Sequence, residues 1–162
     1  MNRLSIIIPV LNEAKNIGVL LDYLAQNSND TLISEILVVD GGSTDGSQKI
    51  VSERSKKQTK IIGLNSPKGR AKQMNFGVSH SKGSVLYFLH ADSMPPKHFD
   101  QYIIEAIDKG SKSGCFKMKF NGTHWWLQLA GWFTQFNWKS CRGGDQSLFV
   151  EKTTFEAIGG FN

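Results

Sequence analysis

Hydrophobic positions along this chain fall into blocks of two periods. Residues 4–10 (LSIIIPV), 36–40 (ILVVD) and 84–89 (SVLYFL) are apolar or small with little polar alternation, the pattern of strands covered by helices on both faces of a parallel sheet. Residues 60–64 read as a shorter strand. Between these runs the period changes. Ile17, Leu20, Leu21 and Leu24 follow i, i+3, i+4, i+7 spacing within LNEAKNIGVLLDYLAQNS, which predicts a helix with one apolar stripe, Asn12 as its cap and Glu13 in its first turn. Ile50 and Val51 mark a second helix, with Ser43, Thr44 and Asp45 as capping residues. Ala71, Met74 and Val78 mark a third over residues 69–80. Phe99, Tyr102, Ile103, Ala106 and Ile107 place a fourth from Lys97 onward, facing the core. Residues 115–120 (CFKMKF) alternate as a fifth strand, and a short apolar run, SLFV, occupies 147–150.

Strand followed by helix, repeated four times, predicts an α/β fold with a mostly parallel central sheet, and right-handed crossovers bring the strand ends to one edge. Ligands of such sheets bind beyond that edge. The residues delivered there are polar: Asn12 and Glu13 after the first strand, Asp40 and GGSTDGS after the second, His90, Asp92 and Ser93 after the fourth, where Pro95 and Pro96 stop the chain from continuing as strand. Two readings of Asp92 stand side by side, a ligand contact and a turn aspartate. The loop after Asp40 is neither GxGxxG nor GxxxxGK[ST], which disfavours a dinucleotide fold or a P-loop. An aspartate at that position can accept hydrogen bonds from a base or ribose. Lys68, Arg70 and Lys72 crowd the start of the third helix, against the macrodipole unless an anion lies between them; a solvated basic face is the competing explanation. Asp40, Asp92, the glycine loop and these cations together describe a phosphorylated ligand held partly through a divalent cation.

A chain of 162 residues suits one domain with a core of its own. No apolar run approaches the ~20 residues of a membrane helix. The N-terminus turns polar too quickly for a signal peptide, so a cytoplasmic location is the default. Cys115 and Cys141 are the only cysteines and lack metal-type spacing, which favours reduced thiols. The net charge of +5 fits an anionic small molecule, an anionic membrane surface or nucleic acid. Nucleic acid ranks last, because neither an RNP-like aromatic pattern nor finger spacing is present.

The segments IIIPVLNEAKNI from Ile6, ILVVDGGSTDGS from Ile36, GRAKQMNFG from Gly69, LHADS from Leu89 and GGDQSLFV…FEAIGGF from Gly143, in this order, resemble the family-two glycosyltransferases. The resemblance implies a GT-A fold, a Rossmann-like three-layer α/β/α sandwich, and transfer of a sugar from a nucleotide-diphosphate donor. It places the nucleotide sugar against Pro9, Val10, Asn12, Glu13, Asp40, Gly42, Ser43, Gly69, Arg70, Lys72, His90, Ala91 and Asp92. The DxD element of the family maps onto His90, Ala91 and Asp92. His90 therefore replaces the first aspartate, and Asp92 carries the implied Mn²⁺ or Mg²⁺ alone.

Arg142 to Gln146 (RGGDQ) suggests another close approach to a ligand, with Asp145 a candidate catalytic base or acceptor contact and a structural turn as its rival. Trp125, Trp126, Trp132, Phe133, Phe136 and Trp138 form either a core-closing segment or an apolar wall for an acceptor or membrane surface. The acceptor implied is a small molecule or a lipid-linked one. In the resembled family the usual base lies beyond the GGF segment, so the expectation is a single domain, 1–162, truncated at its C-terminus. Self-association into a homodimer and peripheral membrane contact are further expectations. Two activities compete: an inverting, metal-assisted glycosyltransferase, and an incomplete remnant that binds a sugar nucleotide or a protein partner without transfer. A sugar-phosphate nucleotidyltransferase is a poor third, since PVLNE stands where those enzymes carry a GxGTR-type loop.

Overall fold

A computed structural model describes residues 1–116 and 147–162. Four strands, β1 (Leu4–Val10), β2 (Ile33–Asp40), β3 (Ile61–Asn65) and β4 (Val85–Phe88), alternate with four helices. These are α1 (Ile17–Asn27), α2 (Ser47–Lys57), α3 (Arg70–Ser79) and α4 (Phe99–Asp108). Strands β5 (Ser113–Cys115) and β6 (Leu148–Glu151) and a short α5 (Lys152–Ala157) follow. The sheet order is β3-β2-β1-β4-β6-β5. The first four strands are mutually parallel, whereas β6 runs antiparallel to β4 and β5 antiparallel to β6. The expected α/β sandwich with a mostly parallel sheet is therefore the observed fold.

The uninterrupted apolar runs reflect burial on both faces. Leu4, Ile6, Ile8 and Val10 of β1 join Ile17, Leu20, Leu21, Leu24, Phe99, Ile103 and Ile107 on the α1 and α4 side. Ile7, between them in sequence, packs with Leu37, Val39, Met74, Val78 and Phe155 on the α3 and α5 side. Period-two alternation thus exists in direction but not in polarity. Helix α3 comes unusually close to the sheet at Gly77, where an added Cβ would lie 2.6 Å from Ile7 Cγ2 and 3.2 Å from Val39 Cγ2.

Three local expectations change. Helix α1 begins at Ile17, so Asn12 is not its cap, and Asn16 occupies the capping position without a capping hydrogen bond, its amide donating instead to Glu13 Oε2 at 2.8 Å. Tyr102 is 55% exposed, while Asp100, two residues earlier and so on the opposite flank of α4, is fully buried and accepts from the Asn29 N–H at 2.5 Å. The fifth strand is described only as Ser113–Cys115. Its expected continuation to Phe120, the aromatic stretch from Trp125 to Trp138, and Cys141 lie outside the described residues.

Candidate functional site

The C-terminal ends of β1, β2 and β4 lie side by side because these strands are parallel neighbours. Register pairs Val10 with Asp40, so the two loops leave the sheet at the same level, while β4 pairs with β1 only as far as Ile7–Phe88. The central strand and its left-hand neighbour therefore project past β4 and form one side of a crevice, the usual ligand position in such folds.

The β1 and β2 loops are stitched into one cradle. Asn12 takes a left-handed conformation at φ 58°, which asparagine tolerates better than most residues. Its N–H donates to Ser43 Oγ at 2.9 Å, and its Oδ1 accepts from the Thr44 N–H at 2.9 Å. The Glu13 N–H donates to Ser47 Oγ at 2.9 Å and the Ala14 N–H to Asp45 Oδ2 at 2.8 Å. Of the three residues expected to cap α2, only Asp45 bonds to its first residue, accepting from the Ser47 N–H at 3.0 Å. Ser43 and Thr44 instead hold the β1 loop. Hydrogen bonds from Ser47 and from the Ala14 N–H hold the Asp45 carboxyl below its ordinary value.

Asp40 is the hub of this cradle and is only 6% exposed. Its Oδ2 accepts from the N–H groups of Gly42 and Ser43, each at 3.0 Å, and from Gln48 Nε2 at 2.6 Å; Oδ1 accepts from the Ser43 hydroxyl. Burial pushes the carboxyl up, but the bonds from Ser43, Gln48 and Gly42 outweigh it and leave Asp40 below its ordinary value. Among the described residues Oδ1 has one donor, so one of its two acceptor positions remains for a ligand. Gly42 has φ 97° and is exposed, which lets the loop turn back over the carboxylate. A cleft of about 260 Å³ opens beside it, with Val10, Asp40, Gln48, Val51, Leu64 and Asn65 in its walls.

On the other side of β1 the geometry is more open. Leu89 N–H bonds to Ile7 O at 3.0 Å, extending β4 by one residue before the HAD turn, where the Ser93 N–H closes onto His90 O at 3.1 Å. Ala91 is buried and Asp92 exposed, its Oδ1 accepting from Ser93 Oγ at 3.3 Å. Arg70, at the start of α3, places Nη2 2.6 Å from His90 Nδ1 and 2.7 Å from Nε2. A neutral imidazole has one acceptor nitrogen, so one of these contacts is the hydrogen bond, with arginine the donor. Gly69 has φ 138°, and Lys72 is exposed one turn into the helix. The structure thus brings Arg70 to His90 and links Asn12, Ser43 and Asp40 to one another, while Glu13 is tied to Ser47 and Asn16. Pro9 precedes the cradle within β1. Asp145, with the rest of residues 142–146, lies outside the described residues.

Metal chemistry fits this arrangement in a limited way. Among the described residues no three His, Cys, Asp or Glu side chains cluster as a cation cage. Magnesium-like ions, however, are commonly held by one or two carboxylates plus substrate phosphates, and exposed Asp92 can supply one such carboxylate.

Sequence reasoning missed Gln73 and Asn75. Gln73 is buried at the end of the crevice, donating to the carbonyls of Val10 and Val39. Asn75 donates from Nδ2 to Phe161 O at 2.8 Å and accepts the Phe161 N–H at 3.0 Å, and so clamps the last described residues to α3. A glutamine that stands beside Met74 on the buried side of α3 was the available signal.

Comparison with known proteins agrees with this architecture. The chain is 35% identical over 105 residues to the glycosyltransferase AglE of Haloferax volcanii, covering 64% of this chain and 34% of that protein. It is 33% identical over 115 residues to a dolichyl-phosphate beta-glucosyltransferase of Trichomonas vaginalis, covering 66% and 33%. The chain therefore spans about a third of the length of these relatives. Among solved structures, a mannosyltransferase from Pyrobaculum calidifontis, in complex with GDP-Man and Mn²⁺, superposes with a TM-score of 0.72 at 20% identity, covering 99% of this chain and 48% of that one. The profile of glycosyl transferase family 2 matches residues 5–159, and the chain belongs to that family and has its GT-A fold.

Proposed function

We propose that this domain binds a nucleoside-diphosphate sugar in the strand-end crevice and serves its transfer to an acceptor. The observation that carries the reading is the Asp40 cradle: an ionised, buried carboxylate with an acceptor position left on Oδ1, next to a cleft of about 260 Å³. That volume lies near the lower end of small-ligand pockets, roughly 300–1,000 Å³, and suits the nucleoside part of a donor. Gln48, Leu64 and Asn65 line the cleft with Asp40, and Asn12, Gly42 and Ser43 belong to the loops that hold Asp40. Arg70 and Lys72, at the positive end of α3, face the diphosphate, which explains cations where the macrodipole disfavours them.

Transfer is a single displacement. The acceptor oxygen forms a bond to the anomeric carbon, the bond from that carbon to the phosphate oxygen breaks, and configuration inverts. The acceptor proton passes to a carboxylate, for which Asp145 is the candidate in this sequence, and the nucleoside diphosphate leaves. Arg70, anchored through His90, offsets charge on the departing diphosphate. A divalent cation held by Asp92 would neutralise part of the same charge. The neighbour solved with GDP-Man and Mn²⁺ supports the donor and the ion. The relative named for dolichyl phosphate makes a polyprenyl phosphate the acceptor class to supply first.

A thermal-shift panel of nucleoside diphosphates with and without Mn²⁺ tests the reading. A ligand at a hundred times its Kd adds about 2.7 kcal/mol, or roughly 5–10 °C for a domain of this size. One base should give that shift, and Asp92→Ala should abolish its Mn²⁺-dependent part. No shift with any nucleotide rejects the proposal.

A further inference from the structure

Gln73 lies on α3, one turn beyond Arg70, with 3% of its surface exposed. Its Nε2 donates to Val10 O at 2.8 Å and to Val39 O at 2.7 Å. Both hydrogens of the amide are thereby committed, to the last carbonyl of β1 and the penultimate carbonyl of its neighbour β2. The same Val10 carbonyl receives the Gly41 N–H at 2.9 Å. Gly41 gives the amide its room: a Cβ there would lie 3.0 Å from Gln73 Cδ and Oε1 and 3.1 Å from Nε2. Gly41 is not among the residues with positive φ. Its lack of a side chain therefore serves the approach of Gln73, unlike Gly42, whose φ of 97° requires a glycine-like backbone.

We infer that Gln73 is a positioning residue that locks the nucleoside cradle to the phosphate-facing end of α3. Val10 leads into the Asn12 loop and Val39 precedes Asp40, so the amide fixes the points from which both halves of the cradle depart. The helix that carries the amide also carries Arg70, whose guanidinium rests on His90. A side chain that sets a distance between two binding groups acts on the ligand spanning them, more than on either group alone. The inference rests on the proposal that a nucleoside diphosphate spans this crevice.

The test is calorimetric titration of a nucleoside diphosphate, well below the melting midpoint, into wild type, Gln73→Met, Arg70→Ala and the double variant. Methionine keeps the volume and removes both donors. Each single variant should weaken binding by about tenfold or more, the scale of a lost charged or buried hydrogen bond. The double variant should bind about as weakly as the weaker single, because Arg70 without Gln73 is no longer held in register. Gly41→Ala, which crowds the amide and leaves Gln73 in place, should reproduce the loss, and it replaces Gln73→Met should that variant fail to fold. Binding of Gln73→Met or Gly41→Ala within twofold of wild type overturns the inference. So does a double variant whose loss is the product of the two single losses, the mark of a residue that merely supports the fold. Failure of wild type to bind any nucleoside diphosphate rejects the proposed function instead.

Discussion

The Asn12 N–H donates to the Ser43 hydroxyl at 2.9 Å across two loops that are 31 residues apart in sequence. The same hydroxyl donates to Asp40. One oxygen therefore joins the loop after β1 to the carboxylate at the end of β2, and the protein's own groups hold the cradle together. Preformed contacts of this kind lower the ordering cost of binding.

Ser43→Ala removes both bonds. The loops are partly solvated, so the expected loss is about 1–2 kcal/mol of unfolding free energy at neutral pH, measured by urea denaturation. Nucleotide affinity should fall in parallel. An unchanged midpoint and affinity would show that the two loops hold together without it.

The left-handed backbone of Asn12 gives a separate comparison. Asn12→Gly and Asn12→Ala both lose the bond to the Thr44 N–H, but only alanine strains the backbone. Strain of ~1–2 kcal/mol, less the ~0.4–1 kcal/mol that glycine costs through the unfolded chain, leaves the glycine variant more stable by roughly 0.5–1 kcal/mol. Chemical denaturation of the pair reads the difference directly.

Asp40 sits below its ordinary carboxyl value, so its contribution is fully present above the unfolded value of about 3.9 and is lost as pH falls through the lower folded value. Asp40→Asn, which has no such proton to take up, should narrow the stability gap to wild type as pH drops below about 4. Parallel melting curves for wild type and Asp40→Asn from pH 6 to pH 3 would contradict this.

The fold was legible because its signal is local. Apolar runs bounded by polar residues located all four parallel strands, and the i, i+3, i+4 stripe of α1 was buried residue for residue. What local pattern could not supply was partnership across the chain. Asn12 carries the features of a helix cap, yet its side-chain Oδ1 accepts from the Thr44 N–H on the next loop. Tyr102 fits the helical period of α4 but falls on its exposed flank, while Asp100 is buried because Asn29 gives it a donor. Gln73 lies within GRAKQMNFG, but nothing in that segment says where its amide goes. Its partners are backbone carbonyls 34 and 63 residues away.

Gly77→Ala tests how closely α3 must sit. Alanine improves helix propensity by about 1 kcal/mol, but its Cβ would meet Ile7 Cγ2 at 2.6 Å, an overlap that costs ~1–3 kcal/mol or displaces the helix. The expected result is net destabilisation in thermal unfolding together with weaker nucleotide binding, since α3 carries both Arg70 and Gln73. A stabilised variant with normal affinity would mean that the helix has slack.

The proposed function requires the strand-end crevice to hold a nucleoside diphosphate through Asp40 and the start of α3. Calorimetric titration of UDP and of GDP into the wild-type protein and Asp40→Ala, with Mn²⁺ present, tests it most directly. One of the two nucleotides should bind wild type saturably at a single site, and at least tenfold more weakly to Asp40→Ala. Equal binding by both proteins, or no binding of either nucleotide to wild type, would contradict it.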